Sequence, residues 1–320
     1  MRILLRADSS RQIGAGHISR VVALAEQAVA RGWDVAFAGR TDNADFLAAR
    51  FAELAVPMLP PETSPRGYDA LVVDHYELGE LRAETNAAGA ALVSFEDGPF
   101  GRRCADVVVD CGLVPEPRPD DGSGVVLTGV SYAPLRQVVL EARDKRAAAS
   151  RPDGSARVLV VLGGGGVWQD VVVELLRALR ATGVACSVEA LVRGEPELPE
   201  PGPAQRFVVS PPGPGLHDKL VDTDLVVSAA GVTLFELCCI GVPAAIVQLV
   251  DNQAAGYRAA VDQGLAAGLG TATALNEAGA ALGALLAEPA VRQRLAASAS
   301  EAVDGRGAAR VLDALEGALR

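Results

Sequence analysis

Short runs of β-branched and other apolar residues alternate with longer segments of helical period along the whole chain. In the first half, the predicted strands are residues 3–6, 35–38, 70–74, 91–95 and 107–109. In the second half they are residues 158–162, 187–192, 206–209, 225–228 and 244–248. The alternation predicts an α/β protein, because strands separated by helices pair in parallel and bury both faces of their sheet.

The segments between these strands have the spacing of apolar residues that is typical of helices. The predicted helices are residues 18–30, 44–54, 78–88, 168–181, 216–221, 233–240 and 254–263, with three more toward the end of the chain.

The two halves of the sequence begin alike. Residues 2–6 and 157–162 each predict a strand that is followed by a glycine-bearing loop and a helix. Residues 142–155 are charged, alanine-rich and then Pro-Asp-Gly, which is typical of a boundary between domains. We therefore expect two Rossmann-like domains, residues 1–150 and 151–320. Loops at the carboxyl ends of parallel strands gather in one crevice, so we expect the sheets to face across a cleft that holds the functional site.

The net negative charge of the chain argues against polyanionic binding partners. Among 320 residues, 29 Lys and Arg stand against 40 Asp and Glu, a formal net charge of -11. This excess of negative charge argues against binding to nucleic acid or to anionic membranes. No apolar run is long enough for a membrane span and no secretory signal is visible, so we expect a cytoplasmic protein. Aromatic residues make up 4% of the chain, which offers no large hot-spot patch, and we expect a monomer.

Cysteine and histidine usage does not indicate a metal site. The five cysteines are odd in number and include no CxxC pair, which favours reduced and buried thiols. The three histidines have no cysteine cluster near them, so a structural zinc site is not expected.

The first candidate segment is Gly14-Ala15-Gly16-His17, which follows the first strand and opens the first helix. Glycines allow a ligand to approach the backbone, and a helix N-terminus favours negative charge. The segment does not complete the GxGxxG fingerprint, which disfavours a nicotinamide enzyme. His17 suits a general base near neutral pH, and it equally suits a residue that only caps the helix.

Two further segments end strands in the first half. In Asp74-His75-Tyr76, the simplest interpretation is that Asp74 caps the helix predicted near Leu78 while the two rings pack the loop. Glu96 and Asp97 suit acid–base chemistry or hydrogen bonds to sugar hydroxyls, and they equally suit a solvated Asp-Gly turn.

In the second half, residues 163–166 are four glycines that allow close approach of a phosphate but lack the Lys-Ser/Thr of a P-loop. Residues 228–236 combine a strand end, a small-residue turn and a helix start, which suits a diphosphate. Ser228 and Thr233 offer hydroxyl donors, and Glu236 suits the two ribose hydroxyls. Thr233 and Glu236 also have capping-box spacing. We assign no catalytic role to His217.

Residues 8–20, 74–76, 129–136 and 228–253 together resemble the nucleotide-sugar hydrolases of the pseudaminic-acid pathway, a family also known as spore-coat polysaccharide proteins. The resemblance runs from Met1 to about Gly268. That family removes UDP from a diacetamido-trideoxy sugar and is similar in fold to GT-B glycosyltransferases. The resemblance therefore implies a GT-B-like fold whose first domain holds the sugar and whose second domain holds the nucleotide.

The resemblance also implies an inverting cleavage at the anomeric carbon that needs neither metal nor cofactor. His17, Tyr76 and Asn252 match the active-site positions of the family, and Glu236 matches the ribose-binding glutamate of GT-B folds. The expected substrate-binding residues are Gly14, Gly16, Arg20, Gly163, Gly164, Ser228, Ala230, Gly231, Val232, Thr233, Glu236, Asp251 and Gln253.

The chain departs from the family pattern in three places, and these departures concern the sugar more than the fold. Glu96-Asp97 stands where two aspartates are common, Asp110 where asparagine is usual, and residues 163–166 where Gly-Gly-Ala-Asp is common. Three functions remain open: a UDP-sugar hydrolase, an inverting glycosyltransferase with a soluble acceptor, and a nucleotide-sugar-binding protein without catalysis.

Overall fold

The computed structural model describes residues 1–10, 14–42, 44–149, 154–163, 167–213, 215–275 and 278–320. These residues form two compact units. The first unit consists of Met1–Gln137 and Gly305–Arg320, and the second of Val138–Asp304. Each unit is an α/β structure built on one parallel sheet, which confirms the predicted fold class.

The first unit has a seven-stranded sheet with the order β3-β2-β1-β4-β5-β6-β7, and every neighbouring pair is parallel. Its strands are β1 (Arg2–Ala7), β2 (Asp34–Ala38), β3 (Met58–Leu59), β4 (Ala70–Asp74), β5 (Ala91–Glu96), β6 (Val107–Asp110) and β7 (Val125–Thr128). Its helices before the division are α1 (Gly16–Ala30), α2 (Asp45–Glu53) and α3 (Arg82–Ala88), and a short 3-10 helix spans Val130–Tyr132.

Strand β1 shows why this sheet is covered on both faces. Ile3 and Leu5 belong to the apolar cluster that contains the buried face of α1, whereas Leu4 belongs to a separate cluster on the other side. All three side chains are fully buried. Because successive side chains of a strand point to opposite faces, an uninterrupted apolar run requires packing on both sides of the sheet.

The second unit has a six-stranded parallel sheet with the order β10-β9-β8-β11-β12-β13. Its strands are β8 (Ala156–Val161), β9 (Cys186–Leu191), β10 (Gln205–Ser210), β11 (Leu225–Ala229), β12 (Ala244–Gln248) and β13 (Ala267–Thr271). Its helices are α4 (Gln137–Ala148), which begins at the division, α5 (Gln169–Ala181), α6 (Leu216–Asp222), α7 (Thr233–Ile240), α8 (Ala254–Asp262), α9 (Ala278–Ala287) and α10 (Pro289–Ala302). A 3-10 helix spans Asp251–Gln253.

The strand order of each sheet determines where ligand-binding loops gather. In the first unit the order reverses between β1 and β4, and in the second between β8 and β11. In open parallel sheets, ligands bind beyond the carboxyl ends of the strands at such a reversal. The loops that matter are therefore those after β1 and β4 in the first unit, and after β8 and β11 in the second.

The ten predicted strands are present, and three further strands were not predicted. Strand β3 has two residues, β7 lies at the edge of its sheet with only one buried residue, and β13 contains two glycines. Each lacks the long apolar run on which the prediction depends. Helix α3 begins at Arg82 and not at residue 78, and the carbonyl groups of the preceding loop accept hydrogen bonds from Arg103.

The division of the chain differs from the boundary expected near residue 150. Residues 305–320 lie in the first unit, where helix α11 (Gly307–Ala318) buries Val311, Leu312 and Leu315 in the cluster that contains α1. This helix starts in close contact with the backbone of Ala133, where a Cβ atom on Gly307 would lie 2.1 Å from the carbonyl oxygen. The apolar stripe of α11 explains its burial, and the sequence does not indicate which unit supplies the partner.

Candidate active site

His17 and Asp74 lie together at the point where the strand order of the first sheet reverses. His17 is the second residue of α1, and Asp74 is the last residue of β4. The Nδ1 atom of His17 lies 2.6 Å from the Oδ1 atom of Asp74, and the two residues are 5% and 0% exposed. This contact is inconsistent with the predicted capping role of Asp74, because the carboxylate faces α1 and α3 starts eight positions later at Arg82.

Arg20 completes a charged cluster with this pair. Its Nε atom donates to Oδ2 of Asp74 at 2.6 Å, and its Nη2 atom donates to Oδ1 at 2.7 Å. Burial alone would raise the pKa of Asp74, but the Arg20 guanidinium and His17 outweigh it and hold this pKa well below its usual range. Arg20 was predicted to bind substrate; in the structure its guanidinium binds Asp74 in a bidentate pair through Nε and Nη2, and its substrate-binding role stays a prediction.

The charge of Asp74 determines the tautomer of His17. A carboxylate only accepts hydrogen bonds, so the Nδ1 atom of His17 carries the proton that it donates to Asp74. The Nε2 atom of neutral His17 then has a free lone pair, and none of the described residues forms a hydrogen bond with it. This is the arrangement of a general base whose ring is oriented by a carboxylate.

His75 lies next in the chain to Asp74 but has both ring nitrogens occupied. Its Nε2 atom lies 3.1 Å from Oδ2 of Asp8, and its Nδ1 atom accepts from the backbone N–H groups of Glu77 and Leu78 at 3.1 and 3.2 Å. Burial lowers the pKa of His75, more than the Asp8 carboxylate raises it. A neutral imidazole with these partners holds the loop after β4 and has no lone pair left for catalysis.

Tyr76 packs directly against the proposed base. Its ring meets the ring of His17 edge-on with centroids 4.4 Å apart, and its hydroxyl donates to Oδ2 of Asp97 at 3.0 Å. Partial burial raises the pKa of Tyr76 above its ordinary value, so the hydroxyl keeps its proton and acts as a donor. Phe100 lies on the outer side of Tyr76, with ring centroids 5.8 Å apart.

Glu96 and Asp97, at the end of β5, lie in different environments. Glu96 is buried in an ion pair with Arg118, and burial raises its pKa by more than Arg118 lowers it. Asp97 is exposed and begins a tight turn through Gly98, as the Asp-Gly sequence predicts. On β6, Asp110 is buried and accepts a hydrogen bond from the N–H of Gly112 at 2.9 Å.

Arg103 was missed by the sequence analysis, although it holds the loops of the site in place. It is 1% exposed, and all of its hydrogen bonds go to uncharged oxygens. The acceptors are the carbonyls of His75, Leu78, Gly79 and Gly101 and the hydroxyl of Ser94. Burial lowers the pKa of Arg103, an effect that the carboxylates of Glu80 and Asp74 oppose. Nothing in the local sequence indicates that this arginine is buried.

The remaining residues predicted in the first unit lie at the start of α1. Gly14 is exposed and has a φ of +78°, a left-handed conformation that favours glycine, and Gly16 is the first residue of the helix. Residues 11–13, which carry part of the family resemblance, lie outside the described residues.

In the second unit, the turn after β11 offers backbone donors. The N–H of Ala230 donates to the carbonyl of Val247, so it is not available to a ligand as predicted. The next three N–H groups, of Gly231, Val232 and Thr233, have no acceptor among the described residues. They lie together at the N-terminus of α7, where partial positive charge favours an anion.

Two predicted side-chain roles at this turn require correction. Ser228 donates its one hydroxyl proton to the carbonyl of Val161 at 2.9 Å, so it links β11 to β8 and has no proton left for a diphosphate. The capping box of Thr233 and Glu236 is not formed, since α7 has no side-chain cap. Glu236 instead lies 3.4 Å from the Nε2 atom of His217 on α6, a contact that the sequence analysis missed.

The loop after β12 carries the three polar residues expected to contact the substrate. Asp251 and Asn252 are exposed on the 3-10 helix. Gln253 accepts a hydrogen bond from the N–H of Leu249 at 2.9 Å, and its Nε2 atom lies 3.7 Å from the position that a Cβ of Gly231 would occupy. The loops after β11 and β12 are therefore in contact. Gly163 is exposed after β8, and Gly164 lies outside the described residues.

Within the described ranges, no group of His, Cys, Asp and Glu side chains has the arrangement of a metal site. In the same part of the chain, none of the helices has the length and apolar character needed to cross a membrane.

The whole chain has the fold of several solved enzymes. MurG from Acinetobacter baumannii matches with a TM-score of 0.70 and 18% identity, over 99% of this chain and 99% of that chain. The glycosyltransferase VinC in complex with dTDP matches with a TM-score of 0.64 and 16% identity, over 99% of this chain and 100% of that chain. UDP-GlcNAc 2-epimerase from Neisseria meningitidis bound to UDP-GlcNAc has a TM-score of 0.64 and 10% identity, over 99% of this chain and 100% of that chain.

Identities of this size show the fold alone, which is the GT-B fold of two Rossmann-like domains. No family model and no curated protein matches the sequence.

Proposed function

We propose that this protein is an enzyme that acts on nucleotide sugars, and that it hydrolyses a UDP-acetamido or deoxy sugar with inversion to release UDP and the free sugar. The observation that carries the proposal is the 2.6 Å contact between His17 and Asp74, because it leaves Nε2 of His17 as a base. The ligands of the solved neighbours support the substrate class, since VinC holds dTDP and the epimerase holds UDP-GlcNAc.

In the proposed reaction, the oxygen of a water molecule attacks the anomeric carbon from the face opposite the diphosphate. The bond from that carbon to the diphosphate oxygen breaks, its electron pair leaves with UDP, and one water proton passes to Nε2 of His17. Because the transition state has oxocarbenium character, water can attack the anomeric carbon with the help of a weak general base such as an imidazole. The carboxylate of Asp74 stabilises the imidazolium that forms.

The nucleotide half of the proposal depends on the turn before α7. The free N–H groups of Gly231, Val232 and Thr233 suit the charge that develops on the departing diphosphate. Glu236 is assigned to the ribose hydroxyls, and its contact with His217 limits the positions its carboxylate can take. Tyr76 and Asn252 are assigned to orienting the sugar and the water, a contribution to catalysis through positioning.

The sugar of the hydrolase family that the sequence resembles, a diacetamido-trideoxy sugar, is the first substrate to test. An inverting glycosyltransferase is the second candidate function. The same base would then deprotonate a hydroxyl of an acceptor in place of water. This candidate is favoured by the fold likeness to MurG and VinC.

The test is UDP release from a panel of UDP-acetamido and UDP-deoxy sugars in water enriched in heavy oxygen, without any acceptor. We expect release, with the heavy atom on the anomeric oxygen of the free sugar, and much slower release by the His17→Ala variant. Activity should persist in EDTA. Release only after an acceptor is added would establish transfer, and binding without release under either condition would leave a protein without catalysis.

A further inference from the structure

Phe100 is an exposed aromatic residue that contributes little to folding. Its side chain is 58% exposed, and it lies on the turn that follows β5. Two backbone hydrogen bonds close this turn, from the N–H of Asp97 to the carbonyl of Phe100 at 3.0 Å and in the opposite direction at 3.1 Å. Two hydrogen bonds thus fix the backbone on either side of this exposed ring, which adjoins the ring of Tyr76 and so forms part of a continuous apolar surface.

The turn is built against the aromatic ring that covers the proposed base. A Cβ on Gly101, whose φ is +73°, would lie 2.9 Å from the carbonyl oxygen of Phe95 and 3.4 Å from Cδ1 of Tyr76, so only glycine allows this approach. The rings follow one another from His17 to Tyr76 to Phe100, with centroid distances of 4.4 and 5.8 Å. The rings of Tyr76 and Phe100 thus form a continuous aromatic surface, here called the aromatic wall, that extends from His17 toward solvent.

One carboxylate lies on the rim of this wall. Asp97 is exposed and uses Oδ2 to accept the hydroxyl of Tyr76, while Oδ1 has no partner among the described residues. An exposed carboxylate repels a diphosphate and accepts hydrogen bonds from hydroxyl and amide N–H groups. The combination of an aromatic face and a hydrogen-bond acceptor suits a sugar ring, which has apolar C–H faces and a polar edge.

We propose that Phe100 and Asp97 form the subsite for the glycosyl group, with Phe100 packing on an apolar face or methyl group of the sugar and Asp97 accepting a hydrogen bond from its hydroxyl or amide N–H. This inference rests on the proposed function, and it adds the residues that select the sugar. Phe100 is a substrate-contacting residue and takes no part in moving protons.

The test compares Phe100→Ala with the conservative Phe100→Tyr and with Val125→Ala, an exposed apolar control at the start of β7, the opposite end of the sheet from the strand carboxyl ends. The assays are KM and kcat for the UDP-sugar that the panel identifies as released fastest, and calorimetric binding of UDP alone. We expect Phe100→Ala to raise KM about tenfold, the loss of roughly one well-packed apolar contact, with a smaller change in kcat and unchanged UDP affinity. Phe100→Tyr and Val125→Ala should behave like the unaltered protein.

An equal KM for Phe100→Ala and Val125→Ala would overturn the subsite, as would a parallel loss of UDP affinity. Asp97→Asn gives a second measurement, because asparagine still accepts the Tyr76 hydroxyl. It should raise KM for acetamido sugars while the thermal midpoint stays the same. The proposed function fails separately: if no UDP-sugar is turned over with or without an acceptor, the enzyme assignment is wrong and the subsite is rejected with it. Turnover that persists in His17→Ala rejects the base alone, and the KM comparison of Phe100→Ala with Val125→Ala still decides the subsite.

Discussion

The Nδ1 atom of His17 donates a hydrogen bond of 2.6 Å to a carboxylate of Asp74 that is fully buried and 57 positions away in the chain. Arg20 binds the same carboxylate through two nitrogens, which compensates its charge. The Nδ1 atom of His17 thereby orients the ring, and its Nε2 atom has a lone pair that can accept a proton. The arrangement can be tested one residue at a time.

The His17→Ala variant should lose the base and keep the nucleotide site. We expect turnover of the UDP-sugar to fall by about a hundredfold or more, the usual contribution of a general base. UDP affinity, measured by calorimetry, should stay nearly the same. Added imidazole should restore part of the turnover because it can occupy the space left by the ring. Near-normal turnover without imidazole would remove His17 from the catalytic role.

The Asp74→Asn variant keeps the shape of the side chain and removes its charge. An asparagine amide can donate to Nδ1, which places the proton of His17 on Nε2 and blocks the base, so turnover should fall by about a hundredfold. The thermal midpoint should also fall, since Arg20 loses its buried counter-charge. Asp34→Asn, an exposed carboxylate in a 3.9 Å contact with Arg2, is the control. Equal turnover in the two variants would contradict the proposed tautomer.

The Glu236→Ala variant tests the ribose assignment. We expect UDP to bind about tenfold more weakly, the effect of losing hydrogen bonds to a charged acceptor. A dideoxyribose analogue of UDP should bind the variant and the unaltered protein equally well, because it lacks the hydroxyls. If the variant loses affinity for both nucleotides alike, Glu236 acts on the structure of the turn and not on the ribose.

The Arg103→Met variant should destabilise the first unit. Methionine leaves the carbonyls of the loops around Tyr76 without their donors, and we expect the free energy of unfolding to fall by about 3 kcal/mol. Urea unfolding, followed by circular dichroism, measures the difference. Arg66→Met is the control because Arg66 is exposed. A loss no greater than that of the control would show that the loops keep their conformation without this arginine.

Asp8 should make the protein sensitive to acid. Burial alone would raise its pKa, but Arg6, the N–H of Arg40 and His75 lower the pKa from 3.8 to about 2 in the folded protein. Because the pKa of Asp8 is lower in the folded protein than in the unfolded chain, its charge stabilises the folded state at pH values above 3.8. This stabilisation is lost as the pH falls from 3.8 to about 2. The thermal midpoint of Asp8→Asn should therefore lie below that of the unaltered protein at neutral pH, and the gap should narrow over that range. A constant gap would mean that the charge of Asp8 is not the cause.

Hydrophobic patterning was sufficient to predict the two sheets and most of their strands. Strands such as β1 and β4 are buried on both faces, so their apolar runs are long enough to recognise. Strands β3, β7 and β13 escaped because they are short, peripheral or glycine-containing. The segment after Asp74 was predicted to enter a helix near residue 78. It forms a loop up to Arg82 instead, and Arg103, which follows β5 in the chain, binds the carbonyl groups of that loop.

The sequence by itself determined the fold class, the positions of the loops at the strand ends and the candidate residues on them, since local apolar periodicity and glycine placement act over a few residues. Only the tertiary structure decided which side chains pair. Asp74 binds His17 and does not cap a helix, the hydroxyl of Ser228 is engaged within its sheet, and α11 returns to the first unit. Buried charges and polar groups must find partners, and those partners come from segments far apart in the chain, beyond the range of any local pattern.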